Sequence, residues 1–142
     1  MRILVIDDEP DVLLLCRVNL EFEGHEVLEA SDGDQGFQVA LDEKPDLIVL
    51  DVMLPQRDGF QVLQHLNERP ETRDIPVVML TAKAQEDDQM RGWLAGASGY
   101  VVKPFSPVAL TEAVRTVLSM SEEERAARRA EQLTQLSILH RL

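Results

Sequence analysis

Four short apolar runs in this chain each end in a reactive side chain. Arg2-Ile3-Leu4-Val5-Ile6 runs into Asp7-Asp8-Glu9, and Leu47-Ile48-Val49-Leu50 runs into Asp51. Pro76-Val77-Val78-Met79-Leu80 ends at Thr81, and Gly99-Tyr100-Val101-Val102 ends at Lys103-Pro104. If the runs are strands of one parallel sheet, their carboxyl ends share an edge, so three aspartates, a hydroxyl and an amine meet there. Asp7, Asp8 and Asp51 cannot all stay ionised at close range without a counter-charge. A hard divalent cation supplies one. Magnesium suits, because it takes oxygen ligands and keeps several waters, and manganese can substitute for it. Lys103 adds a mobile point charge, and Thr81 a hydrogen-bond donor. Such a set neutralises a transferring phosphoryl group and holds it in line with an attacking carboxylate. Asp51, at the end of the central run, is the expected nucleophile. The acyl phosphate it would form is open to water, which suits a reversible signal.

Each of these residues has an ordinary reading by itself. Asp7 and Asp8 could simply favour the start of a helix. Asp51 could cap a loop, Thr81 a turn or helix, and Lys103 could be a solvated surface charge. The chemical reading rests on all of them lying at strand ends together.

The elements that must position them follow from periodicity and punctuation. Residues 2–6 read as a buried strand, followed by a helix from about Asp11 to Glu23 with Pro10 in its first turn and Gly24 at its end. His25 to Ala30 reads as a second strand, and Asp32-Gly33 as a turn before a helix from Phe37 to Glu43. Asp46 to Leu50 is the third strand; Asp58-Gly59 opens a helix from Phe60 to about Arg69. Val77 to Leu80, a helix from about Gln85 to Ala95, the strand Tyr100 to Val102 and a helix from near Pro107 complete the pattern. The sum is an α/β fold, (βα)₅, a doubly wound parallel five-stranded sheet. Strands one and three to five are almost continuously apolar, as strands covered on both faces are. His25-Glu26-Val27-Leu28-Glu29-Ala30 alternates and carries charge, so it belongs at an edge. The order 2-1-3-4-5 satisfies this and puts the switch point beside strands one and three.

Residues 120–142 stand apart as a C-terminal helical extension or linker, after a domain spanning 1–119. Ser121 and Glu124 form a capping-box pattern, Ala126, Ala127 and Ala130 favour helix, and Leu133, Leu136, Ile138, Leu139 and Leu142 supply an apolar side. The spacing fits an extra helix or a continuation of the last one. Such a helix could pack on its own domain, pair two copies in a homodimer, or lead on to a further part of a longer protein.

Composition narrows the function classes. The formal net charge is -12, and residues 121–142 contribute four glutamates against four arginines, so the excess lies in residues 1–120. Phosphate-backbone contact needs a basic face, so direct nucleic-acid binding is not expected. No apolar run approaches a membrane span and no signal peptide precedes the first strand. The single cysteine, Cys16, is set among leucines, where it is expected to pack. A cytoplasmic location, with no membrane association, is the expectation. His25, His65 and His140 follow no metal-ligand spacing, and no glycine-rich phosphate loop follows the first strand. Trp93 is expected to be partly buried, with anchoring of a partner as the alternative.

With these residues assembled, the chain resembles the receiver domain of two-component response regulators, the CheY-like fold. The resemblance is carried by Val5-Ile6-Asp7-Asp8-Glu9, by residues 50–59 from Leu50-Asp51 to Asp58-Gly59, by Leu80-Thr81-Ala82-Lys83 and by Tyr100-Val101-Val102-Lys103-Pro104-Phe105. It implies that Asp51 is the phosphoacceptor. Asp8 and Asp51 would ligate magnesium directly, Asp7 mainly through water, and Met53 through its backbone carbonyl. Thr81 resembles the switch hydroxyl, Tyr100 the switch aromatic, and Lys103 the lysine that pairs with the phosphoryl group. The Lys103–Pro104 peptide is expected to be cis. Met53 and Lys83 fall at the positions that tune dephosphorylation. The implied donor is a phosphohistidine on a sensor histidine kinase or histidine phosphotransfer protein. The implied output face is the fourth helix, fifth strand and fifth helix, acting on a downstream protein whose identity is not written in the sequence. Gly96-Ala97-Ser98-Gly99-Tyr100 lacks the acidic residues often found before the aromatic, which argues against the acidic/basic dimer interface of DNA-binding members.

Two further readings compete. An aspartyl-phosphate phosphohydrolase would need a dedicated acid/base and a substrate cap, and the sequence offers only Glu9 beside the site and no inserted cap. A phosphorylation-independent pseudo-receiver, acting as a binding or dimerisation module, conflicts with the full set Asp7, Asp8, Asp51, Thr81 and Lys103.

Overall fold

The computed structural model of the protein describes residues 1–82 and 86–141, with backbone only for 86–89 and 139–141. Strands β1 (Arg2–Ile6), β2 (Glu26–Ala30), β3 (Leu47–Asp51), β4 (Val77–Thr81) and β5 (Gly99–Val102) alternate with helices α1 (Pro10–Phe22), α2 (Gly33–Glu43), α3 (Gly59–Glu68), α4 (Glu86–Leu94) and α5 (Pro107–Leu118). A sixth helix, α6 (Glu122–Arg141), follows. All strands are parallel, in the order β2-β1-β3-β4-β5. The doubly wound arrangement read from the sequence is therefore the fold, with the charged strand β2 at one edge.

The central strands are apolar because both of their faces are covered. Leu4, Ile6, Ile48, Leu50, Val77 and Met79 pack with Ala40 of α2 and Phe60, Leu63 and Leu66 of α3. Ile3, Val5, Leu47, Val49, Val78 and Leu80 pack on the other face with Cys16 and Leu20 of α1 and Leu110, Val114 and Val117 of α5. Alternate residues of each strand point to opposite faces, so one run of five fills two cores. Cys16 is one of these core groups, and burial pushes its thiol up to about 12, so it is inert packing. Gly36 lets α2 lie close on β1, since a Cβ there would overlap Ile6 Cδ1 and sit 2.8 Å from its Cγ1.

Caps set the helix starts. Asp32 accepts from Gln35 N at 2.7 Å, so α2 begins at Gly33 and not at Phe37. The polar residues 33–36 lack the apolar periodicity that marks the rest, but an aspartate cap satisfies the first-turn amides without it. Asp58 and Gln61 form a reciprocal capping box at the start of α3. Ser121 and Glu124 do the same for α6, each bond being 3.1 Å. Residues 119–121 interrupt the chain between α5 and α6, which makes α6 a separate helix. It packs back against α4, and Leu136 is buried. Among the described residues, no helix is long and apolar enough to cross a membrane.

Candidate functional site

The carboxyl ends of β1, β3, β4 and β5 converge. Register pairs Ile6 with Leu50, Asp51 with Leu80, and Thr81 with Val102, so Asp7, Asp51, Thr81 and Lys103 emerge along one edge. The turns there are fixed by backbone bonds: Asp7 N donates to Ala30 O at 3.1 Å, Val52 N to Leu80 O at 2.9 Å, and Lys103 N to Thr81 O at 2.6 Å. Gly59 N donates to Val52 O at 2.8 Å. A Cβ on Gly59 would overlap the carbonyl oxygen of Asp51 and sit 2.9 Å from Val52 Cα. Glycine is required there so that α3 can start against the backbone that carries Asp51.

Asp7 is fully buried and Asp51 is 2% exposed, while Asp8 and Glu9 lie at the surface. One carboxylate oxygen from each of Asp7, Asp8, Glu9 and Asp51 lies within 4.8 Å of the others. Glu9 stands outside the ligand set implied by the resemblance, yet its carboxylate joins the group. The adjacency of Asp7-Asp8-Glu9 at one strand end was the only sequence signal for it. Lys103 faces the cluster with its Nζ 2.8 Å from Asp7 Oδ2, 3.3 Å from Asp51 Oδ2 and 3.6 Å from Glu9 Oε1. Its side chain is only 14% exposed, so it is no freely solvated charge. The Lys103–Pro104 peptide is cis.

The electrostatics are unbalanced toward negative charge. Burial raises the pKa of Asp51 from 3.8 to about 6, with Asp7 pushing the same way. The Met53 N–H, 3.1 Å from Asp51 Oδ1, and the Lys103 ammonium work against that rise. Burial works against the Lys103 ammonium too, but its hydrogen bond to Asp7 and the charges of Asp51 and Asp7 outweigh it and hold its pKa above the ordinary value. Asp7 Oδ1 accepts from Glu9 N at 2.9 Å, which fixes the turn and orients the carboxylate. One ammonium does not compensate four carboxylates. The donor set is hard oxygen throughout, and it fits a magnesium-sized dication that could bind several of these oxygens and keep waters.

Thr81 is 2% exposed at the end of β4, and Tyr100 is half-buried in β5. The Tyr100 ring packs on Trp93 of α4, with ring centroids 5.8 Å apart. Trp93 is 5% exposed, more buried than its expected partial burial. Met53 is 71% exposed beside Asp51. Lys83 lies outside the described residues. His65 is structural: its Nδ1 is 2.9 Å from Arg57 Nη1, and its ring lies edge-on to Phe37.

Relatives share this architecture. A family profile for the response regulator receiver domain matches residues 3–115. The chain is 46% identical over 121 residues to the alkaline phosphatase synthesis transcriptional regulatory protein PhoP of Bacillus subtilis, covering 85% of this chain and 50% of that protein. It is 44% identical over 135 residues to the DNA-binding dual master transcriptional regulator RpaA of Synechocystis, covering 94% of this chain and 56% of that one. The chain thus spans about half the length of these regulators. Among solved structures, the receiver domain of sensor histidine kinase PA1611 from Pseudomonas aeruginosa, which holds a magnesium ion in its active-site cleft, superposes with a TM-score of 0.77 at 27% identity, over 84% of this chain and 98% of that domain. The chain belongs to the response regulator receiver domain family.

Proposed function

We propose that the protein is a phosphorylation switch whose phosphoacceptor is Asp51. The observation that carries this reading is the placement of Asp51: 2% exposed, 3.3 Å from the Lys103 ammonium and within 4.8 Å of three further carboxylates. Asp8, Asp51 and the Met53 carbonyl would hold magnesium directly, with Asp7 acting through water and Glu9 at the rim. The bound ion would supply positive charge opposite the phosphoryl oxygens.

In the forward step an Asp51 carboxylate oxygen attacks the phosphorus of a phosphohistidine on a sensor kinase or phosphotransfer protein. The new O–P bond forms as the P–N bond breaks, and the imidazole leaves with the electron pair. Lys103 pairs with a phosphoryl oxygen, and Thr81 donates a hydrogen bond to another. Hydrolysis reverses the load: water attacks the phosphorus, the O–P bond to Asp51 breaks, and phosphate departs as the carboxylate is restored. The resemblance gives Met53 and Lys83 the tuning of this hydrolysis. The α4–β5–α5 face carries the change to a protein partner, residues 1–119 form the switch domain and residues 120–142 an extension of it.

Transfer of radiolabelled phosphate from a histidine-phosphorylated phosphotransfer protein tests this. The expected label is on this chain, needs magnesium, and is released by hydroxylamine, as an acyl phosphate is. Label resistant to hydroxylamine, or no transfer from donors that phosphorylate other receivers, would overturn it.

A further inference from the structure

The side chain that the resemblance marks as the switch aromatic sits in a socket made by two consecutive residues of α4. A Cβ on Gly92 would overlap the phenol oxygen of Tyr100 and sit 2.7 Å from its Cε2. The ring therefore occupies the space that any other residue at position 92 would fill. Trp93, the next residue, packs its ring on Tyr100 at 5.8 Å. On Trp93 in turn lies α6: the Arg128 guanidinium carbon is 5.8 Å from the indole centroid, within cation–π range. The neighbouring Arg129 reaches Ser98 Oγ at 3.5 Å, just before β5. Leu136, further along the helix, is buried. Tyr100, Gly92, Trp93 and α6 thus form one packed series, in which Trp93 is 5% exposed.

We propose that Gly92 is the positioning residue for Tyr100, and that the Gly92–Trp93 socket couples the Tyr100 ring to α6, so that displacement of the ring loosens α6 from α4 and uncovers Trp93. A packed series of this kind has few intermediate arrangements, because interiors close-packed on both sides do not deform continuously. Burial of a tryptophan under a helix that reaches it over the short break at residues 119–121 gives the switch an internal occupant for part of its own α4 surface. The proposal rests on the reading of Asp51 as phosphoacceptor for its trigger, but not for the socket itself.

The chain has one tryptophan, so its fluorescence reports this place alone. Acrylamide quenching is measured on the full chain, unmodified and after treatment with magnesium and acetyl phosphate, with the added mass of phosphate recorded on the same samples. The same is done for Gly92→Ala and, as a surface change on α6, Arg128→Gln, with circular dichroism to check folding. Quenching is expected to rise about two-fold or more, as local opening exposes the indole, in phosphorylated wild type and in both unphosphorylated variants. Phosphorylated wild type with unchanged quenching overturns the coupling and leaves the phosphoacceptor intact. Folded Gly92→Ala with unchanged quenching overturns the socket, and unchanged Arg128→Gln overturns the docking of α6 on Trp93 should Gly92→Ala not fold. Absence of added phosphate together with raised quenching in the variants supports the socket and instead contradicts the reading of Asp51.

Discussion

Lys103 and Asp51 meet at 3.3 Å across the ends of β5 and β3, yet the shorter contact of the same ammonium, 2.8 Å, is with Asp7. The lysine therefore braces the pocket as well as facing the nucleophile. It occupies part of the field that a metal would otherwise neutralise, and the buried Asp7 depends on it.

Removal of that brace has a definite cost. Lys103→Met leaves the Asp7 and Asp51 carboxylates buried without their cation, and a broken buried pair costs about 3–5 kcal/mol. Denaturant unfolding at pH 7 with chelator should show a loss of about that size. Saturating magnesium should recover more stability in the variant than it adds to wild type. A loss no larger than that of an exposed ion pair would contradict the bracing role.

The nucleophile is held at a cost to stability. Its folded pKa, about 6 against 3.8, means that ionisation opposes folding. The native state binds the extra proton between these values, so the metal-free protein loses stability as pH rises from about 4 through 6. Below the lower value the penalty is absent, and above the higher it is complete, at about 3 kcal/mol. Asp51→Asn should therefore be more stable than wild type by about 2–3 kcal/mol at pH 7, and the gap should close as pH falls toward 4. Parallel denaturation curves at pH 7 and pH 4 check this; a gap that stays constant would contradict it.

Magnesium should oppose the same penalty. Because ligand carboxylates must be ionised, binding releases the Asp51 proton where one is held. Thermal stabilisation by magnesium should be full above pH 7 and fall away below about 6. Calorimetry in two buffers of different ionisation enthalpy should detect proton release at pH 5.5 and little at pH 8. No proton release at the lower pH would mean that Asp51 is not a ligand.

Two glycines separate packing from chemistry. Gly36→Ala drives a methyl into the core side chain of Ile6 and not into a residue of the acid cluster. Overpacking of this kind costs about 1–3 kcal/mol, and phosphate acceptance should be unchanged. Gly59→Ala drives the methyl into the backbone of Asp51 and Val52, which cannot give way as a side-chain tip can. Both stability and the rate of phosphate uptake should fall, and uptake equal to wild type would show that the backbone at Asp51 tolerates movement.

The sheet was legible because its chemistry is repetitive. Continuous apolar runs such as Leu47–Leu50 demand cover on both faces, and the charged strand at Glu26–Ala30 can only lie at an edge. The acid cluster was legible for the same reason: parallel strands bring their carboxyl ends together whatever the loops do. The start of α2 was not, because Gly33–Gly36 carries no apolar period and its cap, Asp32, resembles an ordinary turn residue. The inclusion of Glu9 in the cluster depends on a turn set by its own amide bond to Asp7. The tighter pairing of Lys103 with Asp7 than with Asp51 depends on side-chain geometry that spacing does not specify. The return of α6 onto Trp93 was one of several arrangements open to an amphipathic helix, and only the contacts of Arg128, Arg129 and Leu136 select it.

The central claim, that Asp51 accepts the phosphoryl group, is tested most directly by intact mass after incubation with magnesium and acetyl phosphate, comparing wild type with Asp51→Asn. The expected result is a gain of about 80 Da in wild type, lost on chelation and absent from the variant. An equal gain in Asp51→Asn would place the phosphate elsewhere, and no gain in wild type that binds magnesium normally would contradict the account.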